Sequence, residues 1–191
     1  MRATIVRIAA VAACACAVAA PGASSAWSPF FVVRASAKRV DVGGYRIWGL
    51  SAGTQGPTYA AAIAVYGPAT TCTFGYGKSD ALVRWTSIGV TAEFATLGVF
   101  SKGGNACRSP REVYLDHLTV TDKRWWTLRD LRIGDPVTKV LRLYPGAVAH
   151  GDSYWLIVTR NPAVGVRPLF AAAARRGHVT AFTFIIQAQG E

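Results

Sequence analysis

Shifting the chain against itself by 78 residues lays Trp48–Ala69 on Trp126–Ala147 without a gap, and this match constrains the architecture more than any single motif. Identities fall at Trp48/Trp126, Leu50/Leu128, Gly56/Gly134, Tyr66/Tyr144 and Ala69/Ala147. In the second copy Gly134-Asp135-Pro136 sets an N-cap acceptor before a proline at the first helical position. Val137, Val140, Leu141 and Tyr144 then recur at helical spacing, and Pro145-Gly146 ends the helix. In the first copy Gly56-Pro57-Thr58 opens a stripe of Tyr59, Ala62, Ile63 and Tyr66, the same four positions under the shift, and Gly67-Pro68 ends it.

Strands are expected after each helix. Following the first they are Ala81–Trp85, Val90–Phe100 and Glu112–Thr121; following the second, Tyr154–Arg160, Leu169–Arg175 and Val179–Ile186, the last two turned at Arg176-Gly177-His178. The expected fold class is α+β, two tandem helix-plus-three-strand repeats sharing one antiparallel sheet, with both helices packed on one face. Residues 27–122 form the first repeat, with its disulfide loop, and 123–191 the second.

A glycine-opened helix entry followed by strands, duplicated at this period, resembles the β-lactamase-inhibitory-protein family. More distantly it is similar to small outer-membrane assembly lipoproteins that carry one such unit. The residues that carry the likeness are Gly134, Val140 and Leu141 in the second copy and Gly56, Ile63, Gly67 and Cys72 in the first. The resemblance implies a tandem-repeat fold. Where that family has Met-Thr after the opening glycine, this chain has Asp135-Pro136 and Pro57-Thr58. The acidic and aromatic loop residues with which the inhibitor grips its target have no counterpart here, so inhibition of a lactamase is not implied.

Residues 1–26 read as an export signal. Arg2 and Arg7 precede an uncharged run from Ile8 to Ala20, too short to span a bilayer, and Ser24-Ser25-Ala26 offers a small-residue cleavage site before Trp27. Val11-Ala12-Ala13-Cys14 matches a lipobox, so a lipid anchor on Cys14 is the alternative processing route. Beyond the signal, Cys72 and Cys107 are the remaining cysteines, and an even pair in an oxidising compartment is most simply one disulfide. No second Cys or His stands at ligand spacing, so neither a metal nor another cofactor is expected.

Loss of the first 26 residues leaves 19 Lys+Arg against 10 Asp+Glu, a mature net charge of +9. A surplus of this size attracts anionic lipid or envelope polymer, and export takes the chain away from nucleic acid; because the excess is spread through the chain and not bunched, it reads first as a soluble basic surface. Gly49-Leu50-Ser51-Ala52-Gly53 is a formal nucleophile elbow, which makes Ser51 the candidate of a secreted hydrolase. Against it, Thr54-Gln55-Gly56-Pro57 separate the serine from its helix, and the second copy has no serine there. His117 reads as a strand histidine and His150, Asp152 and His178 as loop residues, so no catalytic residue is assigned. Lys123, Arg124, Trp125, Arg129 and Arg132 form the densest basic-aromatic stretch and the candidate binding edge; the competing reading puts its aromatics in the core. The expected function is a non-enzymatic, secreted or envelope-associated binding module for a protein partner, with a serine hydrolase and a cell-surface polyanion binder as alternatives.

Overall fold

The computed structural model describes residues 29–36, 39–48, 56–74, 79–96, 104–161 and 165–185. Strands β1 (Val32–Ala35), β2 (Arg39–Val42) and β3 (Tyr45–Trp48) come first, and α1 (Tyr59–Tyr66) leads into β4 (Thr71–Phe74), β5 (Asp80–Trp85), β6 (Val90–Ala95) and β7 (Tyr114–Val120). The short β8 (Trp126–Thr127) precedes α2 (Val137–Leu143), which is followed by β9 (Val148–His150), β10 (Ser153–Asn161), β11 (Gly165–Arg175) and β12 (His178–Ile185).

Two sheets result. The smaller has the order β3-β2-β1-β8, with β8 parallel to β1; the larger runs β4-β5-β6-β7-β12-β11-β10-β9 and is antiparallel throughout. This corrects the expected fold class. The chain is β-rich, its two helices are eight and seven residues long, and each half gives four strands, not three, to the large sheet. Helices of two turns are unstable alone and rest on the strands they pack against. The small sheet also joins distant parts of the chain, because β8 pairs with β1.

Local chemistry accounts for the elements. Gly43 and Gly44 turn β2 into β3 with positive φ, and a Cβ on Gly43 would stand 2.5 Å from the Phe30 carbonyl oxygen and 2.9 Å from the Trp125 ring. Thr58 caps α1 by accepting the Ala61 N–H, while Gly67 closes it by donating to the Ile63 carbonyl. At α2 the expected cap is not made. Pro136 occupies the N-cap position, and Asp135 instead accepts the Arg132 N–H at 2.7 Å and pairs with Lys139 at 2.9 Å. Of the expected stripe, Val140 and Tyr144 are buried, but Leu141 is 49% exposed.

The large sheet has an internal twofold in its hydrogen-bond register. Thr119 of β7 faces Thr183 of β12 at the centre, and the entry to each helix bridges the first residue of its own half's last strand, Thr58 to Tyr114 and Pro136 to His178. From Thr119 to Thr183, and from Tyr114 to His178, the offset is 64 residues. The ladder slips at Asp116 in β7 and at Thr180 in β12, positions related by the same offset of 64. The meanders β4–β7 and β9–β12 thus share the bulge in the last strand of each, while the β10–β11 ladder adds slips near Leu156 and Ile157 that the β5–β6 ladder lacks.

One hydrophobic core lies between the sheets. Alternate residues of the large sheet enter it, among them Trp85, Phe94, Leu118, Phe182 and Phe184, and meet Val33, Val42 and Ile47 of the small sheet and Tyr59 and Val140 of the helices. Tyr45 and Tyr66 sit where α1 packs. The Tyr66 hydroxyl donates to the Val42 carbonyl at 2.7 Å, and the Tyr45 hydroxyl lies 3.2 Å from the carbonyls of Pro57 and Thr58. Burial pushes both hydroxyls well above the ordinary tyrosine range. Unfolded tyrosines ionise near pH ~10, so the folded chain holds these protons where the unfolded chain releases them. Stability is thus fully present below that pH and falls as pH rises above it. Urea unfolding curves are expected to shift to lower midpoints above pH ~10, with ionisation of Tyr45 and Tyr66 coinciding with unfolding; ionisation of every tyrosine in a chain that stays folded would refute this.

Candidate functional site

In the basic-aromatic stretch at 123–132 the tryptophan is turned into the core, and the arginines pair within the fold. Trp125 is fully buried and donates its indole N–H to the Ile88 carbonyl at 2.7 Å. Arg124 forms a two-pronged pair with Asp122, at 2.9 and 2.7 Å, and lies 4.2 Å over the Phe31 ring. Arg129 covers the Tyr144 ring and donates to the Leu143 carbonyl at 2.9 Å, near the C-terminal end of α2. Arg132 pairs with Asp130 at 2.9 Å, and Lys123 is exposed in the turn before Trp125. The hydrogen bond from Arg124 holds the Asp122 carboxyl below the usual carboxylate range, and that from Arg132 does the same for Asp130. These pairs are open to solvent and add little to stability; their effect is to hold each guanidinium against its own fold. Cys14, Ser51 and residues 1–26 lie outside the described residues.

A larger surface comes from the strand alternation. With one face of the eight-stranded sheet in the core, the intervening residues form its other face. One row crosses all eight strands, from Thr71 and Arg84 through Thr91, Thr119 and Thr183 to Ala171, Trp155 and Val148. A second, parallel row carries Thr73, Leu82, Glu93, His117 and Ile185. The centre is hydroxyl-rich, and the β9 end is aromatic: His150 and Trp155 stack with ring centroids 4.5 Å apart beside exposed Val148.

The His117 Nε2 lies 3.0 Å from the Thr119 hydroxyl, with Glu93 on the neighbouring strand. A hydroxyl–imidazole contact suits nucleophilic chemistry only where donors also await an oxyanion. Here the surrounding backbone N–H groups belong to the β6, β7 and β12 ladders. Among the described residues no group of three or more His, Cys, Asp or Glu could hold a metal ion. The thresholds of this surface were present in the sequence as alternation, in Ala81–Trp85 and Val90–Ala95 especially, but which alternating strands lie side by side is not a local property.

The Cys72–Cys107 disulfide is formed. It ties β4, an edge strand, to the loop that leads into β7, where the Asn105 side chain accepts the N–H groups of Cys107 and Arg108. Such a bond fits an oxidising, extracytoplasmic compartment. No described helix is long and apolar enough to cross a membrane. No protein family, curated protein or solved structure matches the chain in comparison.

Proposed function

We propose that this chain is an exported, non-enzymatic binding module that docks a protein of the envelope or its surroundings on the open face of the eight-stranded sheet. The observation that carries this reading is the continuity of that face across both halves, with a stacked indole at one end and a row of threonines at its middle. Threonines on a sheet give hydrogen-bonding contacts at small entropic cost, and a half-buried tryptophan is the side chain most often found as an interface anchor. Export is supported by the charge, apolar and small-residue order of residues 1–26 and by the disulfide.

A photo-crosslinking residue placed at Thr91 or Thr183 tests the proposal in the exporting cell. A protein adduct of one defined mass is expected from both positions and not from Arg142, which is exposed on α2. Trp155→Ala is expected to lower the adduct yield at least about tenfold. Thr183→Arg, which blocks the face without disturbing the core, serves as the second variant. Equal labelling from Arg142, or no adduct from either face position, would overturn the reading.

A further inference from the structure

The small sheet turns Val33, Val40, Val42, Tyr45 and Ile47 into the core, so the alternate residues of its strands face outward. Register places Arg34 of β1 and Arg46 of β3 on either side of Asp41 of β2, with Arg39 two residues along β2 on the same face. Arg34 and Arg46 are thus two strand spacings apart, about 10 Å. Asp41 stands between Arg34 and Arg46 in the register. Its Oδ1 already accepts the Gly44 N–H at 2.9 Å, and the guanidiniums of Arg34 and Arg39 stand 3.8 and 3.7 Å from its oxygens. Those separations are ion-pair distances without a close hydrogen bond. The two arginine side chains remain 47% and 43% exposed. Arg46 is exposed and makes no hydrogen bond or ion pair among the described residues.

Like charges on adjoining strands repel, and Arg46 has no hydrogen bond or ion pair among the described residues to offset its place near Arg39. Guanidinium forks match the geometry of phosphate oxygens, which are anions of the complementary sign. The edge of the face supplies a second property. Leu128 donates its N–H to the Val33 carbonyl, so the β1–β8 register brings it level with Arg34, and its side chain is 61% exposed. Cations beside a protruding leucine suit a surface where phosphates lie above an acyl boundary.

We propose that the outer face of the small sheet binds the phosphates of anionic phospholipid headgroups through Arg34, Arg39 and Arg46, with Leu128 at its rim. This surface is separate from the open face of the eight-stranded sheet, so each proposal can fail without the other. Flotation of the exported protein with phosphatidylcholine vesicles, with and without phosphatidylglycerol, at physiological ionic strength tests it. Binding is expected only where phosphatidylglycerol is present. Arg46→Gln, which removes no hydrogen bond or ion pair among the described residues, is expected to weaken it about fivefold, and Arg34→Gln with Arg46→Gln about thirtyfold. Arg142→Gln removes the same charge elsewhere and is expected to change binding less than about twofold. Three results would overturn the proposal: equal loss in Arg142→Gln, which marks diffuse attraction; absence of binding to phosphatidylglycerol vesicles; or release of the protein by inorganic phosphate at an ionic strength where sodium chloride leaves it bound, which marks free phosphate as the ligand.

Discussion

Trp125→Ala is expected to destabilise the chain by about 3–5 kcal/mol. The indole fills the junction between the small sheet and the 3-10 turn at Thr86–Ile88, with Phe31 edge-on at 5.3 Å, Phe30 at 5.9 Å and Gly43 against its rim. Its N–H is spent on the Ile88 carbonyl. Truncation removes the contacts and the hydrogen bond together and leaves a cavity that the Gly43 turn cannot collapse into, because its backbone is held between β2 and β3. The melting temperature should fall by about 10 °C or more. Trp125→Phe, which keeps most of the volume but leaves the Ile88 carbonyl unpaired, should cost about 1–3 kcal/mol. Lys123→Ala, two residues away and exposed, should be neutral within about 0.5 kcal/mol. A binding-edge tryptophan would give the opposite pattern, with melting unchanged by the alanine substitution.

The contrast between Trp125 and its neighbours shows where sequence reading reaches its limit. The indole and the arginines share one short segment, yet the segment turns: Trp125 points into the core, Arg124 lies over Phe31, and Trp126 enters a parallel pairing with β1, some ninety residues earlier. Nothing local in Arg124-Trp125-Trp126 specifies that partner. Elements with strong local signals were legible. Alternation in Ala81–Trp85 and Val90–Ala95, and the turn at Arg176-Gly177, correspond to β5, β6 and the β11–β12 hairpin. The edge strands β4 and β9 had no such signal, because residues there are exposed on both sides: Val148, Ala149 and His150 face solvent alike. Expected helices carried more weight than they deserved, since the apolar run of α1 has no polar face and only Tyr59 and Ala62 are buried. The outward cluster of Arg34, Arg39 and Arg46 was hidden for a different reason. Its members are spread over three strands, and only the β1-β2-β3 register makes them neighbours.

Removing the disulfide, by Cys72→Ala with Cys107→Ala, is expected to cost about 4 kcal/mol and about 10 °C in melting temperature. The bond closes a loop of 35 residues that contains β5 and β6, so its loss returns substantial freedom to the unfolded chain. A local effect should accompany the global one. Strand β4 is four residues long, pairs on one side only, and is mostly exposed, so few apolar contacts hold it once the bond to Cys107 is gone. Amide exchange at Thr71–Phe74 should therefore accelerate well beyond the change that global destabilisation imposes on β7 and β12 at the centre of the sheet. The open face would then lose one margin while its Thr119–Thr183 centre persists. Uniform acceleration across the sheet would place the stabilisation wholly in the unfolded chain, and an unchanged melting temperature in the double variant would refute the entropic argument itself.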